Sequence, residues 1–518
     1  MLPLTLESIT YQYEAEQLDD PMCQHSLSLT WDRYGTQTHG VTVHYARRKK
    51  PQDAPPFEDI YQRQWWQSSH DEAQQNGYLN ESRNEVIHLD SPQSWRLGLP
   101  WRARTDAMVV PASAMTPEQI SYEKFRDPQS VFAALPRTLT GLSVQRYIDC
   151  GDGEANFQAL ADAVESAELD QQALSAYERV MTVDELAARL TELRYQQMPA
   201  FLPNEDLVLW SVKRNFATYA GPEAFYRIIA FRPTRSHGWT SVEYDPYGLF
   251  VTKITDPAGC VTTATYNYRA LQVFRIVDPN RNTQEADYDA FGRLWATSFY
   301  GTELGQEVGF EPLKRETHYW GGSHEAVTAP ERALRDAAAV YYYDSPGTYG
   351  PPVPLPFANA TLQADRYPGD PARQIRISLV SVDGFGRPLQ TRQLVEDGEA
   401  YAVDQYGKLI LEDGQPKIVQ ASPRWRVSER VEYNNKGLAM RVYRPYFADS
   451  HLYVKDESLR EHGHFDRQYY DPLGRPTITL TAKGWMRRQT YRTWYTISED
   501  ENDTAEEVLA LRASGEPG

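Results

Sequence analysis

Three tyrosines at a fixed interval of 22 residues, Tyr244, Tyr266 and Tyr288, constrain this chain more than anything else in it. They open related strings: Tyr244-Asp245-Pro246-Tyr247-Gly248, Tyr266-Asn267-Tyr268-Arg269-Ala270-Leu271 and Tyr288-Asp289-Ala290-Phe291-Gly292-Arg293. Asp256-Pro257 and Asp278-Pro279 hold the same place inside the first two units. Two landmarks in register mark a genuine repeat, and a repeat of this size is one supersecondary unit that must stack on its neighbours. Each unit has room for two strands of about seven residues, roughly 23 Å long at the strand rise, and two turns. In Tyr-Asp-x-x-Gly the Asp side chain accepts from the backbone ahead of it, Pro presets φ and Gly takes positive φ; Asp-Pro supplies the second turn. Between the turns run β-formers such as Val251, Thr252 and Ile254. The expected fold is mainly β, with stacked hairpins forming a large curved sheet.

Looser copies follow: Val382-Asp383-Gly384-Phe385-Gly386-Arg387, Tyr433-Asn434-Asn435-Lys436-Gly437-Leu438 and Tyr470-Asp471-Pro472-Leu473-Gly474-Arg475. The residues expected to build the turns are therefore Tyr244, Asp245, Gly248, Asp256, Pro257, Tyr266, Asp278, Pro279, Tyr288, Asp289, Gly292, Gly386, Gly437, Tyr470, Asp471 and Gly474. Around these repeats the chain divides by pattern. Residues 1–150 read as β-rich hairpins, and 151–235 as a helical or mixed insert. In that insert Phe157, Leu160 and Val164, then Leu186, Leu190 and Leu193, recur at helical spacing, with a capping box at Thr182 to Glu185. Residues 236–300 are the regular repeats, 301–375 an irregular insert, 376–498 further repeats and 499–518 an acidic tail. The irregular insert holds a helical run around Glu331 to Arg335 and the Pro-rich stretch Pro351 to Pro356, expected as a surface loop; the tail has a helical stretch near Glu506 to Arg512.

Composition narrows the function. Tyr outnumbers Phe by 34 to 17, which suits broad sheets wetted on both faces, because a Tyr ring covers apolar surface while its hydroxyl stays in water. A net charge of −18 repels a phosphate backbone, so nucleic acid is not an expected partner. No run of 18 apolar residues exists, so direct membrane insertion is not expected, and Met1 to Leu6 lack a basic n-region with an apolar core. The expectation is a soluble chain with no signal peptide of its own. The basic run Arg47-Arg48-Lys49-Lys50 reads as a solvated strand end.

Chemistry is sparse. Cys23, Cys150 and Cys260 make no metal or redox spacing. His462-Gly463-His464 could present two imidazoles if it lay on one strand face, but no further ligands accompany it. Asp245-Pro246-Tyr247-Gly248, Asp256-Pro257-Ala258-Gly259 and Asp471-Pro472-Leu473-Gly474 read as turns rather than scission sites. No nucleophile elbow, phosphate loop or zinc-protease helix occurs, so neither an enzyme nor a cofactor is expected. Trp65-Trp66, Trp239 and Trp485 read as locks of sheet packing, or else as stacking platforms of a glycan-binding or adhesion module.

The strings from Tyr244 to Gly248 and from Tyr288 to Arg293 resemble the Rhs/YD repeats of polymorphic toxins and teneurin-like surface proteins. The longer stretch Val242 to Gly301 resembles more narrowly the B component of bacterial Tc insecticidal toxin complexes, in its C-terminal, repeat-shell part; the region around Tyr122 to Tyr147 is similar to what precedes the repeats there. The Asp-Pro-x-Gly likeness to the self-cleaving site of Rhs C components fails on spacing, which is 11 and 215 residues here. The resemblance implies a secreted, extracellular toxin assembly. This chain would form part of a shell that, with an Rhs-type C component, encloses that component's toxic region, and that docks indirectly on a pore-forming A component.

Overall fold

A computed structural model describes residues 3–15, 17–111, 120–127, 129–199, 201–203, 205–314, 322–344, 356–454 and 458–514. The Pro-rich residues 351–355 and the last residues, 515–518, lie outside this set. Strand accounts for 46% of the chain and helix for 13%, so the fold is mainly β as expected. The chain forms two compact units, one of residues 1–260 with 491–496, the other of residues 261–490 with 497–518. The division falls at Cys260, inside the regular repeats, and not at the compositional change near residue 235. Hairpins of one kind lie on both sides of it, so composition carries no mark of it.

The first unit is an antiparallel succession. Glu7–Gln12, Met22–Trp31, Gln37–His44, Asn76–Ser91, Ser94–Pro111, Thr138–Tyr147 and Ala161–Leu169 pair in chain order. Leu209–Tyr219, Ile228–Thr234, Thr240–Tyr244 and Val251–Thr255 continue it. Period-two alternation decides which face is buried. Cys23, Leu27 and Leu29 on one strand, Val41 and Val43 on the next, and Leu79, Met108 and Val110 beyond them form one core. Two expectations fail here. Ala161–Leu169, holding Val164, is a strand, because a short apolar run reads equally as helix or strand and its neighbours supply a ladder on both sides. The helical part of the insert is confined to Gln171–Ser175 and Val183–Glu192, the latter carrying the Thr182–Glu185 capping box. Helices also occur outside the insert and the tail, at Ile60–Ser68 for example.

In the second unit Val261–Asn267, Gln272–Val277, Thr283–Tyr288 and Leu294–Glu303 pair in order. Ala339–Asp344, Phe357–Ala364, Ile375–Val382, Pro388–Val395 and Arg424–Ser428 extend the ladder. Residues 301–375 were expected to interrupt the array. Two of their segments instead carry the sheet on, because Val340 and Tyr342 face Ala360 and Leu362 in a buried core that the helices Ser323–Thr328 and Pro330–Leu334 cover. A second sheet contains Val431–Tyr433, Ala439–Tyr443, Phe465–Tyr470, Pro476–Leu480 and Met486–Tyr491. The tail forms the helix Ala505–Ser514.

The basic run at residue 47 is not a solvated end. Arg47 is 2% exposed, its Nε donates to Asp20 Oδ2 at 2.8 Å, and its guanidinium lies over the rings of Trp66 (5.6 Å) and Trp494 (5.7 Å). Trp494 Nε1 in turn donates to the Asp20 carbonyl. Trp66 therefore locks a helix against this ion pair and not a sheet against a sheet. Lys49, by contrast, reaches the exposed Asp19. Removing one partner of a buried pair strands the other charge, so Asp20→Ala is expected to lower unfolding free energy by about 3–5 kcal/mol, whereas Asp19→Ala changes it by roughly 0–1 kcal/mol. Urea melts of the two variants test the contrast.

Candidate functional site: the tyrosine-clipped turns

The sixteen residues singled out in the repeats fall on strand ends and turns of one design. Asp289 shows it fully. Its Oδ1 accepts from Phe291 N (2.8 Å) and Arg293 N (3.0 Å), its Oδ2 accepts from Arg293 Nε (2.7 Å), and its carbonyl accepts from Gly292 N (3.0 Å). Gly292 stands at φ +76°, a conformation costly for a side chain bearing a Cβ. Asp471 repeats this with Arg475 and Gly474. Asp383 does so with Arg387 and Gly386, and Asn434 with Leu438 and Gly437. Asp245 accepts from Leu249 and Phe250 N, with Gly248 at positive φ. Asp256 accepts from Ala258 and Cys260 N, and Pro257 of that turn lies where a Cβ added at Gly238 would come within 2.6 Å. Asp278 accepts from Asn282 N after Pro279, with Arg281 in the left-handed region in place of a glycine.

The tyrosines close the design. At or next to the end of its strand each reaches back to a neighbouring strand, at its first or second residue in all but the Tyr147 case, and donates its hydroxyl to a main-chain carbonyl. In the second unit Tyr288 donates to Val273 (2.8 Å), Tyr343 to Leu294 (2.9 Å), Tyr433 to Pro388 (2.8 Å) and Tyr470 to Ala439 (2.8 Å). In the first unit Tyr244 donates to Ile228 (2.9 Å), Tyr219 to Ala161 (2.9 Å) and Tyr147 to Pro100 (2.8 Å). Every acceptor stands two residues after a positive-φ residue: Leu271, Gly292, Gly386, Gly437, Tyr226, Ala159 and Gly98 in the same order. The residue between them is often arginine, which stacks on the incoming ring, as Arg293 does on Tyr343 (4.5 Å), Arg387 on Tyr433 (4.4 Å) and Arg227 on Tyr244 (5.6 Å). Tyr266 is next to last in its strand, opposite Val273.

Sequence reasoning counted fewer members than the structure holds, reading Asp32 to Gly35 as a hairpin turn but not as one of this design. Asp32 to Gly35 and Asp404 to Gly407 form the same turn and carry the same letters. Thr481 replaces the carboxylate with a hydroxyl that accepts from Trp485 N, ahead of Gly484. The clips at Tyr147 and Tyr219 had a weaker signal, since Ala159 takes the place of glycine before one of them.

Chemically the turn carboxylates are committed acceptors. Burial pushes Asp289 and Asp471 upward, but the backbone N–H groups and the adjoining guanidinium outweigh it and hold both below the usual carboxylate value. An acid so held keeps its charge and donates no proton near neutral pH. His462 ends the helix Ser458–His462 and His464 follows Gly463 ahead of the strand Phe465–Tyr470, so the two do not share a strand face. Among the described residues no group of three or more His, Cys, Asp or Glu could hold a metal. No helix among them is long and apolar enough to cross a membrane.

Hairpins joined through a Tyr-Asp-x-x-Gly turn and a back-reaching tyrosine define a sheet protein built of repeated hairpins. Residues 1–99 match the family described as the insecticide toxin TcdB middle/C-terminal region. Among solved structures, the crystal structure of TcdB2-TccC3 matches at 31% identity and a TM-score of 0.87, covering 97% of this chain and 24% of that one. The TcdB2-TccC3-Cdc42 crystal structure matches at 28% identity and 0.87, covering 98% and 26%. A Tc holotoxin pore of Photorhabdus luminescens carrying a TccC3 mutation matches at 27% and 0.88, covering 98% and 26%. No curated protein matches the chain. The chain spans about a quarter of the length of these relatives. The family match bears out the resemblance to a Tc toxin B component over residues 1–99, and the structural matches carry it over nearly the whole chain.

Each clip is a neutral hydrogen bond worth about 1 kcal/mol net, so Tyr288→Phe is expected to cost about that much while Tyr177→Phe, on an exposed ring, costs roughly nothing. Burial first of all raises the Tyr147, Tyr219, Tyr288, Tyr343, Tyr433 and Tyr470 phenols above their ordinary 10.0. Above that value the folded state holds protons the unfolded state has released, so stability falls as pH rises. The melting temperature should drop as pH climbs past 10, through the raised folded-state values, and thermal scans from pH 8 to 12 test this.

Proposed function

We propose that the chain is a wall segment of a toxin-complex shell which, together with an Rhs-type C component, encloses that component's cytotoxic region, and which works without catalysis of its own. The carrying observation is the match of 97% of the chain, at a TM-score of 0.87, to a structure that joins TcdB2 to TccC3. The turn chemistry supports it. Carboxylates that accept from backbone donors and tyrosines clipped to carbonyls make a durable sheet. The strand Glu7–Gln12 is largely exposed and among the described residues pairs only with Met22–Trp31, leaving its other edge for a further chain. The pore-forming A component would be met only through the completed shell, and secretion would follow from membership of that assembly.

The adhesion reading has less to rest on. Trp66 is buried, and Arg232 and Arg512 lie over the rings of Trp239 (4.4 Å) and Trp485 (4.7 Å), so these tryptophans already have partners inside the chain.

Co-expression with an Rhs-type C component is expected to give a stable complex whose cargo resists protease, while the chain alone is inert to cells and stays unfragmented on a gel, with Asp245, Asp256 and Asp471 intact or changed to Asn. Cell killing by the purified chain alone, at the level of an assembled toxin, would overturn the shell reading. Fragmentation at any of these aspartates would overturn the non-catalytic one.

A further inference from the structure

Among the described residues four arginines are almost fully buried, and they divide into two kinds. Arg47 meets Asp20, and Arg104 meets Asp106 and Glu205. Arg392 and Arg430, both in the second unit, meet no acid: among the described residues neither has a carboxylate within ion-pair distance. Arg392, 2% exposed, donates to the His451 carbonyl (2.8 Å) and to Ser381 Oγ (2.5 Å). Arg430, 7% exposed, donates to the Val454 carbonyl and lies over the Tyr443 ring at 5.2 Å. The Nε donor of each lacks a partner among the described residues.

The two cations share surroundings. Both guanidinium charges act on the phenols of Tyr446 and Tyr453. Gln390 Nε2 stands 3.5 Å from the Tyr446 hydroxyl and 3.5 Å from the Val454 carbonyl that Arg430 also uses. Burial pulls Arg392 down to about 10, which still leaves it charged at neutral pH. His451, pulled down to about 4 by burial, by His324 and by Arg392, is neutral there and adds no charge. Arg430 and Tyr453 line a cavity open to solvent. Its acids are already engaged, Asp383 with Arg387 and Glu432 with Arg441 and Arg460.

Two buried charges with no counter-charge among the described residues call for one from elsewhere, because an uncompensated buried charge is destabilising. Guanidinium and phenol groups together offer donors in several directions, and a spherical anion accepts from all of them at once. We propose that Arg392 and Arg430, with the hydroxyls of Tyr446 and Tyr453, hold a small monovalent anion of the halide type, which enters through the cavity lined by Arg430 and Tyr453. The anion fixes the strand Pro388–Val395 against the segment 451–454, where both arginines make their main-chain bonds.

The test uses the full 518-residue chain at constant ionic strength, with chloride replacing gluconate as the anion. Chloride is expected to raise the melting temperature saturably and to show a broadened chloride-35 resonance that bromide displaces. Arg392→Met with Arg430→Met should abolish both effects. Tyr453→Phe, which keeps the ring and loses one donor to the anion, should weaken chloride roughly tenfold, and it serves if the double variant does not fold. An unchanged melting temperature with no broadening in the parent, or an undiminished chloride affinity in Tyr453→Phe, would overturn the proposal. So would a chloride response seen only after Asp456→Asn and Glu457→Gln, because the chain's own carboxylates would then be the counter-charge.

Discussion

The sheet depends on a tyrosine hydroxyl meeting the carbonyl that lies two residues past a left-handed turn. That carbonyl sits where a strand has just left its turn, and a tyrosine from the next hairpin caps it, as Tyr288 does for Val273 and Tyr343 for Leu294. A strand start would otherwise be wet and prone to fray. The clip also fixes register, because a slip of one residue would move the tyrosine to the opposite face and the hydroxyl away from its acceptor. Seven such bonds at about 1 kcal/mol each would amount to much of the stability typical of a domain, which gives the tyrosine bias of the composition a concrete use.

The turns make the clip possible. Asp289 holds two backbone N–H groups and the Arg293 guanidinium with one carboxylate, and Arg293 lies over the ring of Tyr343. One arginine thereby ties its own turn to the following hairpin. Charge is consumed locally at these turns and is not stored for chemistry, which fits a wall better than an active site.

Much of this was legible. The 22-residue interval and the Asp-x-x-Gly letters place hairpins at 244, 288, 383 and 471, because turn chemistry is local and uses few residue types. What escaped the reading depends on contacts far apart in sequence or on unusual residues at ordinary positions. Arg47 reads as one of four solvated cations until Trp494, supplied from the far end of the chain, lies over it. Leu271, Ala159 and Tyr226 occupy left-handed positions that glycine would normally announce. Val164 belongs to a strand because ladders flank it on both sides, a fact absent from its own neighbourhood. Asp404 to Gly407 carried the full signal, and only its distance from the regular interval hid it.

The clip gives the array a direction. In each pair the acceptor precedes the donor along the chain, by 15 residues from Val273 to Tyr288 and by 49 from Leu294 to Tyr343. During synthesis each strand start therefore emerges before the ring that will seal it, and a hairpin is completed only by its successor. Growth from the ribosome proceeds like a zip whose teeth close one step behind the slider. The newest hairpin is always the unsealed one, so the growing end of the array stays open to mispairing until its successor emerges.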